Sequence, residues 1–121
     1  FAPAYCYPKP VQKPYPPILL GSMVPQAFGR VVAYADGWIP IGVTSDKIRE
    51  GRQILDEFAA NAGRDPKSID VTTFSETNDI VDIHEQIEAG ADRIILGLPS
   101  AGRDESLLAL DAIAVQVKDL L

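Results

Sequence analysis

The stretch Ile18-Leu19-Leu20-Gly21-Ser22-Met23-Val24-Pro25 decides the fold. Three apolar residues in a row, without polar alternation, describe a short strand buried on both faces, and Gly21 ends it. Pro25 then stands where a helix begins, because the N–H that proline lacks has no intrahelical acceptor at that position. The unit is therefore strand, tight turn, helix. The helix is expected to run over about 24–35 and to bury Phe28, Val31, Val32 and Tyr34.

The same unit recurs downstream. Gly37-Trp38-Ile39-Pro40-Ile41 reads as a second short strand, closed by Pro40 and Gly42. Thr44-Ser45-Asp46 offers caps for a helix over about 46–62, with Ile48, Leu55, Phe58, Ala59 and Ala62 on one face and Gly63 placed to end it. After the turn Gly63-Arg64-Asp65-Pro66, the β-branched run at 69–74 reads as a third strand. A helix over about 78–89 follows and stops at Gly90. Ile94-Ile95-Leu96-Gly97 is the fourth strand. A closing helix is expected over about 104–121, with Leu107, Leu110, Ala114, Val117 and Leu121 along one side.

Four β-α units in series predict an α/β fold with a parallel sheet, since each crossover between parallel strands needs a helix. The repeat is about 25 residues, so a closed (β/α)8 barrel would need roughly 200. The 121 residues hold half of that. A parallel half (β/α)8 barrel leaves both edge strands unpaired and one sheet face bare. Its completion requires a partner, self-pairing or further sequence.

Residues 1–17 are a different kind of chain. They hold six of the ten prolines, which forbids helix and interior strand and predicts an extended Pro-rich arm ahead of a β/α body at 18–121. The apolar side chains of Phe1, Tyr5, Tyr7, Val11 and Tyr15 predict that the arm lies against a surface. Phe1 rather than Met opens the chain, the mark of a processed or trimmed start or of a piece of something longer.

Eleven basic against seventeen acidic residues give a net charge of −6. That balance argues against nucleic acid or an anionic membrane as partner. No apolar run approaches the roughly 18 residues of a membrane span. A lone cysteine, Cys6, excludes an internal disulfide and a Cys-based zinc cage, and fits the reducing cytoplasm. With one histidine, His84, neither a Ser-His-Asp set nor a metal-ligand set can be assembled.

Several motifs carry a family likeness. Pro8-Lys9-Pro10-Val11-Gln12-Lys13-Pro14, followed by Pro16-Pro17-Ile18-Leu19-Leu20-Gly21, resembles the segment leading into the fifth strand of the bacterial-luciferase-like superfamily. Those proteins are flavin- or deazaflavin (F420)-dependent oxidoreductases built as (β/α)8 barrels. Ala27 and Arg30 ahead of Asp36-Gly37-Trp38 are similar to its sixth-strand region. Gly63-Arg64-Asp65-Pro66 with Ile69 and Val71 resembles its approach to strand seven, and Gly90-Ala91-Asp92-Arg93-Ile94 its approach to strand eight. The likeness covers nearly the whole chain, in order, and corresponds to the carboxyl half of the barrel. Ser22 departs from it, standing where many relatives carry a second glycine.

The resemblance implies F420 or FMN as cofactor, a small-molecule substrate, and hydride transfer or monooxygenation in the intact protein. It also implies no activity for this half alone, because much of the catalytic equipment belongs to the first strands. The alternative is a non-catalytic half-barrel that forms a homodimer through its edge strands.

Ligands of parallel barrels sit at the carboxyl ends of the strands. Gly21, Ser22 and Met23 lie in the first such loop, read either as an anion cradle near the cofactor or as a turn that only glycine can make. Trp38 reads either as a wall for a planar ring or as an apolar filler. Gly97 opens the last loop. Arg103 begins the last helix, where barrels often hold a phosphate, although Asp104 and Glu105 beside it favour a solvated arginine. Glu76 and Asp79 are conceivable acid–base groups, but helix-dipole pairing explains them without catalysis. No catalytic residue and no metal ligand is assigned. His84 is expected on a solvated rim, and nothing near Cys6 implies reactivity.

Overall fold

A computed structural model describes residues 2, 4–5, 7–75 and 77–120. Phe1, Cys6, Glu76 and Leu121 therefore lie outside the described residues. Four β-α units follow one another: β1 (Leu19–Leu20), α1 (Pro25–Tyr34), β2 (Gly37–Trp38), α2 (Ser45–Asn61), β3 (Asp70–Ser75), α3 (Ile80–Glu88), β4 (Arg93–Leu96) and α4 (Arg103–Val117). Short 3₁₀ turns occupy Pro66–Ser68 and Lys118–Leu120. The strands form one sheet in the order β1-β2-β3-β4, each pair parallel. This is the expected half-barrel.

Period-two alternation divides the sheet into two faces. Leu20, Trp38 and Val71 share a register row and face the helices, where they join Phe28, Val31, Ile48, Leu55, Ala59 and Ile69 in one core. Leu19, Gly37, Thr72, Phe74 and Ile95 lie on the opposite face. That face is the inside of the half-barrel, and Phe74 and Ile95 are 40% and 38% exposed on it. Thr72 is buried there with no hydrogen-bond partner for its Oγ1 among the described residues.

Two positive-φ glycines end helices as the sequence predicts. Gly63 (φ 69°) follows α2 and Gly90 (φ 102°) follows α3. Just past the first of these, Arg64 does more than turn the chain. Its Nη1 donates to the carbonyls of Val31, Val32 and Ala35 at 3.1, 3.1 and 2.8 Å, and its Nε and Nη2 donate to Ser68. The guanidinium thereby satisfies the orphan carbonyls at the end of α1 and sits at the negative end of its dipole.

Two aspartates fix strand register at this same, amino end of the sheet. Asp36 Oδ2 accepts the N–H of Ile18 at 2.7 Å, and Asp92 Oδ2 accepts that of Val71 at 2.8 Å. Each carboxylate thus ties the start of one strand to its neighbour. Arg52 of α2 reaches Asp92 at 3.0 Å, which holds the second of these bonds in place. Amino-end positions of a barrel serve stability rather than chemistry.

Several expectations shift. β2 stops at Trp38, although Ile39 N–H still donates to the Leu20 carbonyl. Tyr34, Phe58 and Ala62 are exposed, because they fall at the margins of the apolar stripes on α1 and α2. α4 forms where expected but buries no residue. The described arm residues are exposed rather than laid on a surface. Tyr5 and Tyr7 pair with each other at 6.5 Å between ring centroids, and Lys9 sits over Tyr7.

Candidate functional site

β1 is an edge strand, and the loop at its carboxyl end is held from below. Gly21 passes so close to β2 that a Cβ would lie 3.1 Å from the Ile39 carbonyl oxygen. Ser22 adopts φ 92°, a conformation natural to glycine and costly for serine. The place of the expected second glycine is thus a real backbone demand. Trp38 holds the loop there, its indole N–H donating to the Ser22 carbonyl at 2.9 Å.

α1 begins immediately afterwards. Its N-cap, Val24, supplies no side-chain cap, and Pro25 occupies the first turn. A small cavity of about 240 Å³ opens between Leu20, Gly21 and Ser22 on one side and Gln26, Arg30 and Tyr34 of α1 on the other. Among the described residues no carboxylate lines it, and Arg30 is the one charged residue that does. An uncapped helix start, a glycine-permissive loop and a guanidinium make a place for an anion. The volume suits one phosphate-sized group, not a whole cofactor.

The other candidates fall elsewhere. Met23 packs against the core beneath the loop. Trp38 is fully buried between the sheet and the helices, its ring against Phe28 at 5.4 Å and so near Gly51 that a Cβ there would collide with it. It has no open ring face, so its contribution to the site is the hydrogen bond that shapes the Ser22 loop. Gly97 has both backbone groups occupied. Asn78 Nδ2 donates to its carbonyl at 2.6 Å, and its N–H donates to Asn78 Oδ1 at 3.0 Å. Arg103 is exposed at the start of α4 and lines neither cavity. Asp79 caps α3, accepting from Val81 N–H at 2.8 Å. His84 is exposed on α3.

Sequence reasoning named Arg30 only within the family likeness and gave neither it nor Asn78 a place in the site. Arg30 enters the site only through the packing of α1 beside β1, which no local pattern announces. Asn78 (φ 55°) clamps the last loop through all its polar groups, with Ser75 Oγ accepting from its N–H and Gln116 donating to its carbonyl. An Asn between a strand and a helix was the available signal.

This geometry has relatives. Residues 2–118 match the profile of luciferase-like monooxygenases. The chain belongs to that family. Uncharacterized proteins of Mycobacterium tuberculosis and Mycobacterium bovis are 29% identical to it over 122 residues, spanning 97% of this chain and 41% of theirs. The coenzyme F420-dependent tetrahydromethanopterin reductase of Methanopyrus kandleri has a similar fold. It superposes with a TM-score of 0.60 at 14% identity, over 84% of this chain and 48% of that one. The luciferase-like chain thus spans about two-fifths to one half of the proteins it matches. Among its described residues no helix is long and apolar enough to cross a membrane.

Proposed function

We propose that this chain supplies the carboxyl half of a cytoplasmic luciferase-like oxidoreductase, and that its Gly21-Ser22 loop with Arg30 holds the phosphate of F420 or FMN. The observation that carries this reading is the carboxylate-free cavity where the loop meets the uncapped start of α1. Family membership supports the cofactor class, which supplies hydride transfer or oxygen chemistry when bound. The chain's own residues bind and orient. Amides of the loop and Arg30 receive the anion, Trp38 fixes the loop's shape, and Asn78 sets the neighbouring Gly97 turn. The ring and the substrate are left to walls that a second half provides, so this chain is inactive by itself. The Pro-rich arm extends onto that half, which gives Tyr5, Tyr7 and Tyr15 a surface to cover.

The bare inner face favours a second reading for the isolated chain. With Phe74 and Ile95 exposed and Thr72 Oγ1 unpartnered, two copies gain by closing edge to edge into a homodimer. Native mass spectrometry with added F420 or FMN separates the readings. Cofactor retained by the chain, and lost on Arg30→Ala, supports the phosphate site; retention that ignores this substitution removes it. A mass of twice 13.1 kDa supports self-pairing.

A further inference from the structure

The inner face of the sheet carries charge as well as apolar surface. Asp70 and Arg93 are the only charged residues in the four strands. Asp70 shares a register row with Gly37, and Arg93 shares one with Thr72, so alternation puts both side chains on the inner face. They stand in successive inner rows at the amino end, with Phe74 and Ile95 in the row above. Arg93 Nη2 and Asp70 Oδ2 are 3.7 Å apart, and the two side chains are 59% and 52% exposed. An ion pair this long and this open to water contributes little by itself.

Thr72 is a second, independent sign that these rows are unfinished. It is 1% exposed, yet its Oγ1 has no hydrogen-bond partner among the described residues. Thr73, its neighbour on the helix side, gives its own hydroxyl to Gln86 Oε1 at 2.6 Å. Buried hydroxyls are seldom left unpaired in a complete fold. The unpaired one lies in Arg93's row.

We propose that a second copy of this chain closes on this face and that the two copies exchange charges, each Arg93 meeting the partner's Asp70. The proposal rests on the self-pairing reading above and names the contact that selects a copy of the same chain. A two-fold contact that brings Arg93 to the partner's Asp70 also brings Asp70 to the partner's Arg93. With one acid and one base, the face is its own electrostatic complement, which a face of a single sign is not. An eight-stranded barrel is just wide enough for its inward side chains to meet. Two exposed pairs then become one ring of alternating charges at the amino end. Enclosed charges are costly unless each is paired, and the ring leaves none without a partner.

The test is sedimentation equilibrium of the full chain and of two charge-reversed variants. The native chain is expected near twice 13.1 kDa. Arg93→Asp gives the inner face two acids and Asp70→Arg gives it two bases, so each variant alone should pair at least about a hundredfold more weakly. Mixed in equal amounts, the two should recover the native mass, because an acidic face then meets a basic one. Both side chains are more than half exposed, so each reversal should keep the melting temperature within about 3 °C of native. Arg93→Gln, which removes a charge without adding a like one, should weaken pairing about tenfold and does not depend on the reversals folding. A native monomer at every concentration removes the self-pairing reading itself, and this inference with it. A native dimer whose reversed variants pair equally well alone, or fail to pair with each other, overturns the exchange of charges and leaves self-pairing standing.

Discussion

The two ends of this half-barrel are packed on different terms. In the α1–β2–α2 region, Phe28, Trp38, Ile48 and Leu55 are all essentially buried, and each element covers its neighbours. α4, five residues longer than α1 and richer in leucine, buries nothing; Leu108 and Val115 are 71% and 76% exposed. A shortage of apolar residues is therefore not what leaves α4 exposed. What differs is whether the opposing surface lies in the same chain. A helix that is apolar on several sides is built to be enclosed, and α4 is tied to the rest of the fold by Gln116 donating to the Asn78 carbonyl at 3.1 Å.

The sharpest way to break this contrast is Trp38→Ala. Removing a ring that touches Phe28 and α2 and anchors the Ser22 carbonyl should cost about 3–5 kcal/mol in urea unfolding. A loss under about 1 kcal/mol would mean that the packed end is no better ordered than α4. Arg64→Ala comes next. It leaves the Val32 and Ala35 carbonyls at the end of α1 without their donor and should cost about 2–3 kcal/mol, read as a lower melting temperature. Arg64→Lys should recover only part, since an ammonium cannot reproduce the fork.

These two residues also show how far the sequence could be read. The strands read at 18–20, 69–74 and 94–97 were legible to within a residue because β-branched and aliphatic runs beside Pro, Gly and Asp punctuation have few other readings. Gly63 and Gly90 were legible because helix ends that turn left-handed favour glycine. Trp38 was assigned to the right strand, but a two-residue strand gives no alternation from which to tell its face. Arg64 was legible only as part of a turn, because its partners lie some thirty residues earlier in α1. Spacing in α4 located the helix correctly; it carried no information about a surface that this chain does not contain. Of the candidate site, Gly21 and Ser22 came from turn chemistry, whereas Arg30 needed the three-dimensional fold.

Smaller effects sharpen the comparison. Ser22→Gly removes the cost of φ 92° and should stabilise the packed end by up to about 1 kcal/mol, measured by thermal unfolding. No gain would place the loop in another conformation in solution. Leu110→Ala in α4 should change stability by less than about 0.5 kcal/mol in the chain alone. In an assembly that encloses the helix, the same substitution should cost about 2 kcal/mol or more. Equal effects in both settings would show that enclosure is not what α4 lacks.

The carboxylates of Asp36 and Asp92 bear on how such an assembly forms. Sliding β1 along β2 by one residue would break the bond from Ile18 N–H to Asp36, and the same slip of β3 against β4 would release Val71 from Asp92. The two outer strands therefore hold one alignment before anything joins them. A newcomer at either edge meets a template with a single phase, so recognition reduces to fitting one strand into a fixed frame. Mispaired closures, each shifted by a residue and each turning its side chains to the wrong face, are disfavoured before contact is made.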